Sequence, residues 1–198
     1  MKHKQTVDYY DKNAQAFFDG TVDVDMSVHY VPFLAYVPDG GSILDVGCGS
    51  GRDAKEFIDR GYKVDAFDAS SEMADLASEY AGIPVQVATF KEYSADSRYD
   101  GIWACASLLH VPENDLASTI SKFVHLLTPN GVMSMSFKIG NKRENSDGRL
   151  FIGMDENELE SILNHSKEVQ VIGVTPSSDL RKGRENEKWV TALCRRIY

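Results

Sequence analysis

The sequence predicts an α/β fold, a three-layer sandwich in which helices cover both faces of a seven-stranded, mostly parallel sheet whose last strand is antiparallel. Apolar, β-rich runs alternate regularly with amphipathic stretches, which is the pattern of βαβ units. Closely spaced glycines follow the first run, where a strand would turn into a helix. The 198 residues contain no repeat or interdomain linker, so we expect a single domain, residues 1–198.

Seven apolar runs are predicted as strands, at residues 42–46, 63–67, 85–88, 99–105, 132–137, 168–174 and 189–195. Helices are predicted at residues 51–60, 71–80, 112–127 and 155–163. Signals at the ends support three of them. Gly61 suits a left-handed cap after the first helix, Glu72 suits the positive end of the second, and Pro112 suits the first turn of the third.

Residues 1–41 precede the first strand and are mostly helical in pattern. They are too few for an independent domain, but their aromatic side chains give them something to pack with. We therefore expect a helical lid segment that lies over the edge of the sheet, on a core of residues 42–198.

Composition limits the partners of the chain. The net charge of −9 and the pI of about 5.0 disfavour nucleic acid and anionic membranes, and favour a small molecule. No run is apolar enough for a signal peptide or a membrane span, so a cytoplasmic location is expected. Cys48, Cys105 and Cys194 form no CxxC pattern, which predicts neither a disulfide framework nor a metal site. The oligomeric state stays open.

The stretch ILDVGCGSGRD predicts a nucleotide-type site, because glycines between a strand and a helix let a ligand approach the backbone. Asp68 follows Gly47 by 21 positions, at the end of the second strand, where a carboxylate can accept both hydroxyls of a ribose. The glycines stand in GxGxG order, and Arg52 occupies the position where a dinucleotide fingerprint has its third glycine. This order disfavours NAD.

The segments LDVGCGSGRD and VDAFDAS resemble motif I and the ribose-binding strand end of class I S-adenosylmethionine-dependent methyltransferases. YDGIWACASLLHVP and LLTPNGVMSMSF are similar to the fourth and fifth strands of that family. The resemblance runs from about residue 9 to residue 195. It implies a Rossmann-like fold, S-adenosyl-L-methionine as cofactor, and methyl transfer to a small-molecule acceptor. GCGSGRDA, ASLLHVP and SFK are most similar to the small tellurite-resistance-type methyltransferases.

The resemblance also implies cofactor contacts at Tyr10, Asp45, Gly47, Cys48, Gly49, Arg52, Asp68, Ala69, Met73, Thr89, Phe90 and Ala106. Asp45 would face the methionine part, and Asp68 would take the ribose. Thr89 and Phe90 would flank the adenine, although the aspartate that many relatives carry near there is missing.

Several of these roles have structural alternatives. Met73 contacts the adenine or simply packs in its helix, and Tyr10 closes over the cofactor or packs on the sheet. Arg52 contacts the cofactor carboxylate or braces the N-terminal segment.

Methyl transfer from a sulfonium mainly requires orientation and the exclusion of water, and it needs a base only when the acceptor carries a proton. His110 follows the fourth strand and titrates near neutrality, so it is the candidate base. The alternative is that His110 packs the turn before Pro112.

Two polar loops, at residues 140–149 and 176–188, follow strand ends on the cofactor side of the sheet. Each has a net charge of +1 on an acidic protein. Arg143, Arg149 and Arg184, together with Arg181 and Lys182, would form a basic rim that binds an anionic acceptor. Ordinary solvated loop charge is the alternative.

Two other functions remain open at this point. A regulatory module could bind the cofactor without turnover, and a nicotinamide-dependent oxidoreductase would share the sheet and the ribose aspartate. The sequence does not identify the methylated atom, which could be oxygen, nitrogen, sulfur or a metalloid.

Overall fold

The computed structural model describes residues 2–140 and 148–198. Its strands form one sheet in the order β3-β2-β1-β4-β5-β7-β6, and β7 runs antiparallel to both of its neighbours. This confirms the predicted sheet. The strands are β1 (Ser42–Val46), β2 (Lys63–Asp68), β3 (Val85–Val87), β4 (Tyr99–Ala104), β5 (Leu127–Lys138), β6 (Val169–Ser178) and β7 (Lys188–Arg196).

The helices in the described part of the chain are α1 (Lys2–Asp19), α2 (Ser27–Leu34), α3 (Arg52–Asp59), α4 (Ser71–Ala81), α5 (Glu113–His125) and α6 (Glu156–His165). Two successive residues of β1 show that the helices form a layer on each face of the sheet. Ile43 belongs to the hydrophobic cluster that includes residues of α2 and α3, whereas Leu44 belongs to the cluster on the other face, which includes residues of α5 and α6. Helices therefore cover both faces, as predicted. Within residues 2–140 and 148–198, none of them has the length and apolar character to cross a bilayer.

Two strands are longer than predicted because of their partners. β5 begins at Leu127, which pairs with Tyr99 before the register shifts around the TPNG turn, where Asn130 has a φ of 67°. The pattern of apolar residues shows only the part after this irregularity. β6 continues to Ser178 because it pairs with β7 as far as Lys188, so part of the predicted polar loop is strand.

The N-terminal segment folds as the two helices α1 and α2. Phe33 of α2 packs on Trp103 of β4 at 5.0 Å between ring centroids, so α2 covers the face of the sheet, and the expected position over the edge is wrong for this helix. α1 is kinked at Asn13, whose side chain donates a hydrogen bond to the Tyr9 carbonyl at 2.8 Å. The kinked helix places Tyr10 and Phe17 over the carboxyl ends of the strands, where a cavity lies.

Candidate active site

The cavity opens where β1 and β4 separate the two halves of the sheet, which is the usual ligand position in such folds. Most of the predicted site residues line it together: Tyr10, Asp45, Gly47, Cys48, Gly49, Arg52, Asp68, Ala69, Met73, Phe90, Ala106, His110, Arg149 and Arg184. The structure therefore brings residues that end or follow six strands, β1 to β6, together with Tyr10 of α1, into one cavity.

Two predicted residues lie outside the lining of the cavity, and a third is not described. Thr89 does not line the cavity, and its hydroxyl donates to Glu92 Oε2 at 2.7 Å, at the start of a turn. Lys182 is exposed and also lies outside the lining. Arg143 falls outside the described residues.

The glycine loop is folded onto the end of β2. The N–H groups of Gly47 and Cys48 both donate to the Phe67 carbonyl at 3.0 Å, and that of Gly49 donates to Asp68 Oδ2 at 2.9 Å. These donors are therefore used inside the protein and do not form an anion-binding cradle. Gly47 has a φ of 68°, and a Cβ there would lie 2.8 Å from that of Ser107, so only glycine lets the loop approach the end of β4.

Gly51 is needed for a different reason, which leads to a prediction. It has a φ of 74°, and an added Cβ would lie 3.0 Å from the Cα, Cβ and O atoms of Ala77 on α4. Gly61 has a φ of 91° with nothing within 4 Å of an added Cβ, so it is a matched control for the backbone conformation alone.

We expect Gly61→Ala to cost about 1–2 kcal/mol, and Gly51→Ala to cost about 1–3 kcal/mol more because α4 must shift. Urea unfolding measures both values. Equal costs for the two variants would show that the contact with α4 does not matter.

Asp45 is a buried carboxylate at the end of β1. Burial, followed by the nearby Asp53, raises its pKa well above the usual range, although Arg52 and the Ala54 backbone N–H oppose the shift. Its Oδ2 atom and the Ser107 hydroxyl have no hydrogen-bond partner among the described residues. An unsatisfied buried acceptor in a cavity suits a positively charged N–H donor on a ligand.

Arg52 and Asp53 form a buried ion pair beside Asp45. The Arg52 guanidinium donates to Asp53 at 2.6 and 3.0 Å, and Tyr30 and Trp103 donate to the same carboxylate at 2.5 and 2.8 Å. Burial would raise the pKa of Asp53, but Arg52 and these hydrogen bonds lower it. Arg52 also donates to the Thr21 carbonyl at 3.3 Å, so it braces the N-terminal segment while it lines the cavity.

Asp68 connects the glycine loop to α4. Besides Gly49, the Ser70 N–H donates to its carboxylate at 2.9 Å, and the Ser70 hydroxyl caps α4 and donates to Asp11 of α1 at 2.6 Å. Burial raises the pKa of Asp68, while the Ser70 and Gly49 N–H groups oppose the shift. Each carboxylate oxygen can accept more than one hydrogen bond, so acceptor capacity remains for a ligand.

An apolar end of the cavity follows β3. Met73 is 1% exposed, and Phe90 packs edge-on against Phe67 at 6.1 Å between centroids. Lys122 of α5 donates to the Phe90 and Lys91 carbonyls at 2.8 Å and so fixes this loop. Sequence reasoning missed Lys122, because it looks like an ordinary surface residue of a helix.

Tyr10 and His110 meet across the cavity. His110 Nδ1 lies 2.5 Å from the Leu150 carbonyl, which can only accept, so Nδ1 carries the proton and Nε2 is an acceptor. The Tyr10 hydroxyl lies 3.0 Å from Nε2, and burial raises the pKa of Tyr10, so the hydroxyl stays protonated and donates to Nε2. Nε2 of His110 therefore points into the cavity as an acceptor, and in this structure its donor is Tyr10.

Ala106 lies beside this pair with a φ of 51°, which is uncommon for a residue other than glycine. The Ser136 hydroxyl accepts a hydrogen bond from the Ala106 N–H at 2.8 Å and so helps to hold this conformation.

Two cysteines lie in the cavity. Burial raises the pKa of Cys105 to about 12 and that of Cys48 well above normal, so neither is a reactive thiolate.

The far side of the cavity is aromatic and basic. Phe151 and Trp189 line it, with Lys138 Nζ 5.9 Å from both ring centroids and the Arg149 guanidinium 4.8 Å from Phe151. Arg181 pairs with Asp179 at 2.5 and 2.9 Å; burial would raise the pKa of Asp179, but Arg181 lowers it to about 2. Several cations of the predicted basic rim thus have acidic neighbours.

Charge is distributed unequally across the cavity. Among the residues that the structure describes, the charged lining on the side of the glycine loop consists of Asp45, Asp53 and Asp68 with the cation Arg52. On the side of β5 and β7 the described charged lining consists of Lys138, Arg149, Arg181 and Arg184 with the carboxylate Asp179. We call these sides the acidic half and the basic half. The acidic half suits a cation, and the basic half suits an anion.

The strand order, the glycine loop after β1 and the acidic end of β2 define a Rossmann-like fold. Residues 43–131 match a family model described as a methyltransferase domain. The ubiquinone biosynthesis O-methyltransferase of Pasteurella multocida is 29% identical to this chain over 156 residues, 67% of this chain and 64% of that protein. The chain thus spans less than two thirds of the length of this curated relative.

Solved structures agree on the fold. The 1,6-didemethyltoxoflavin-N1-methyltransferase of Burkholderia thailandensis, with bound 1,6-didemethyltoxoflavin and S-adenosylhomocysteine, superposes with a TM-score of 0.78 at 20% identity, covering 99% of this chain and 87% of that one. The N-methyltransferase NodS of Bradyrhizobium japonicum, in complex with S-adenosylhomocysteine, gives 0.70 at 12% identity, covering 94% and 98%.

Proposed function

We propose that this protein transfers a methyl group from S-adenosylmethionine to a small-molecule acceptor. The observation that carries the proposal is the acidic half, with the unsatisfied Asp45 Oδ2 beneath a glycine loop whose first N–H groups are already used. A nicotinamide dinucleotide would need those donors for its pyrophosphate. Methyltransferase relatives, two of them solved with S-adenosylhomocysteine, support the same cofactor.

The residues present fit this cofactor. Asp45 would accept from its ammonium group, and Arg52 would face its carboxylate. Asp68 would accept from the ribose hydroxyls, and Met73 and Phe90 would enclose the adenine. The net positive charge of the sulfonium form matches the excess of carboxylates in this half.

When bound, S-adenosylmethionine supplies an electrophilic methyl carbon whose bond to sulfur breaks, with its electron pair, as the bond to the acceptor forms. The chain's own part is to orient the reactants and exclude water. α1 acts as the lid, and Tyr10 closes the cavity over His110. When the acceptor replaces the Tyr10 hydroxyl as the donor to His110, Nε2 takes the proton that the acceptor loses.

The basic half supports an anionic acceptor, bound by Arg149 and Arg184. The tellurite-resistance-type subgroup, the cytoplasmic location and the exclusion of nucleic acid remain predictions from the sequence.

Calorimetric titration with S-adenosylhomocysteine and with NADH tests the cofactor. We expect binding of the first and no measurable binding of the second. Incubation with methyl-labelled S-adenosylmethionine and a metabolite extract then tests turnover, and label is expected in a small molecule. Tight binding without transfer would instead favour a cofactor sensor.

His110→Asn should separate base catalysis from packing. The asparagine amide can still donate to the Leu150 carbonyl, but it removes the Nε2 acceptor. We expect the rate of label transfer to fall about 10²- to 10⁴-fold with unchanged affinity for S-adenosylhomocysteine. The loss should shrink as the pH rises, because the acceptor then ionises by itself. A rate loss that is independent of pH would assign His110 to packing alone.

A further inference from the structure

The basic half contains two aromatic walls whose positions are fixed. The Trp189 Nε1–H donates to Asp179 at 3.1 Å, and the same carboxylate is held by both nitrogens of the Arg181 fork. Phe151 packs against the His110 ring at 5.0 Å between centroids. Both rings line the cavity, and because these contacts hold them in place they need little ordering when a ligand binds.

Cations stand beside the same faces. Lys138 lies equally far from both rings, and only part of its donor capacity is used by Glu187, at 2.5 Å. Arg149 lies over Phe151 and also over Tyr9, at 4.2 Å. Stacking surfaces with adjacent cations complement a ring system that delocalises negative charge. A saturated acceptor would gain contact area but no stacking.

From these contacts we infer that the acceptor is a flat, conjugated small molecule with an acidic O–H or N–H, held between Phe151 and Trp189 and balanced in charge by Lys138. This inference rests on the proposed function. The ring stacked on Phe151 lies next to His110, so its acidic group is within reach of Nε2. The oxygen or nitrogen that loses its proton to Nε2 is the atom whose lone pair bonds to the methyl carbon.

The test uses two carboxylate probes of the same charge, planar 2-naphthoate and its saturated analogue decahydro-2-naphthoate. Each is titrated calorimetrically into protein saturated with S-adenosylhomocysteine, after binding of S-adenosylhomocysteine has been measured alone. We expect 2-naphthoate to bind about three- to tenfold more tightly than the saturated probe. Trp189→Leu, Phe151→Leu and Lys138→Met should each remove most of this preference or affinity, with unchanged binding of S-adenosylhomocysteine.

Tyr198→Leu, at an aromatic residue that is 81% exposed, and Lys91→Met, at a lysine whose side chain is 81% exposed, are the matched controls and should change nothing. The labelled product from the extract should be a planar compound methylated on oxygen or nitrogen. Three results would overturn the inference without affecting the cofactor site. They are equal affinity for the two probes, no binding of 2-naphthoate to the protein that holds S-adenosylhomocysteine, and label in a compound without conjugated double bonds. Failure to bind S-adenosylhomocysteine would instead overturn the proposed function.

Discussion

Asp53→Ala is expected to lower the free energy of unfolding by about 3–5 kcal/mol, because it leaves the Arg52 guanidinium, whose side chain is only 18% exposed, without its partner. The Tyr30 hydroxyl and the Trp103 indole N–H lose their acceptor in the same step. Urea unfolding followed by circular dichroism measures the change. We also expect the brace from Arg52 to residue 21 to loosen, which would weaken the attachment of the N-terminal segment.

The same helix offers a matched control. Asp59 pairs with Lys55 at 2.5 Å, but both side chains are exposed, so Asp59→Ala should cost less than about 1 kcal/mol. A double change, Arg52→Met with Asp53→Leu, removes both charges and should recover much of the lost stability. If Asp53→Ala costs no more than Asp59→Ala, the buried ion pair does not stabilise the fold as described.

The lowered pKa of Asp53 gives this stabilisation a pH dependence. The contribution is fully present above the usual carboxylate pKa of about 4, and it is lost as the pH falls through the folded-state pKa. The difference in stability between the wild type and Asp53→Ala should therefore be constant near neutrality and shrink in acid.

Asp45→Asn is expected to have opposite effects on stability and on binding. It removes a buried charge beside Asp53 and Asp68, and the melting temperature should rise by about 3 °C. It also removes a charged acceptor, so affinity for S-adenosylhomocysteine should fall about tenfold to a hundredfold. Differential scanning calorimetry and isothermal titration measure the two effects on the same preparation.

The raised pKa of Asp45 determines how the stability difference between Asp45→Asn and the wild type changes with pH. As the pH rises above about 4, Asp45 ionises more readily in the unfolded state than in the folded state, which destabilises the wild-type fold. The stability advantage of Asp45→Asn should therefore grow from about pH 4 towards neutrality. An unchanged affinity for S-adenosylhomocysteine would contradict the role of Asp45 in binding the cofactor. A fall in the melting temperature would contradict the cost of its burial.

The part of the site near the glycine loop could be predicted, because its signals are local in sequence. The glycines, Asp45 and Asp68 lie at strand ends whose positions the apolar runs define. The contact of Thr89 with the adenine is predicted only from the family resemblance. The Thr89 hydroxyl donates to Glu92, and nothing in the sequence indicates that Glu92 accepts this hydrogen bond.

The aromatic walls could not be predicted in the same way. Phe151 and Trp189 are 38 positions apart in the sequence, yet both line the cavity and both lie beside Lys138, which pairs with Trp189 across β5 and β7. The Tyr10–His110 contact spans 100 positions, and its direction depends on the Leu150 carbonyl. Such contacts depend on the register of strands and on loop paths, which composition and periodicity do not encode.

The attachment of α1 has a kinetic consequence. Asp11 is bonded to Ser70 at the acidic half, whereas Tyr10 contacts His110, and Thr6 accepts the Leu150 N–H at 3.0 Å, at the basic half. All three contacts come from the part of α1 before the kink at Asn13, so raising that part breaks them together. In the proposed methyl transfer, exchange of the spent cofactor and departure of the methylated product would share this single opening event. The frequency of the opening would then set an upper limit on turnover, however fast the chemical step is.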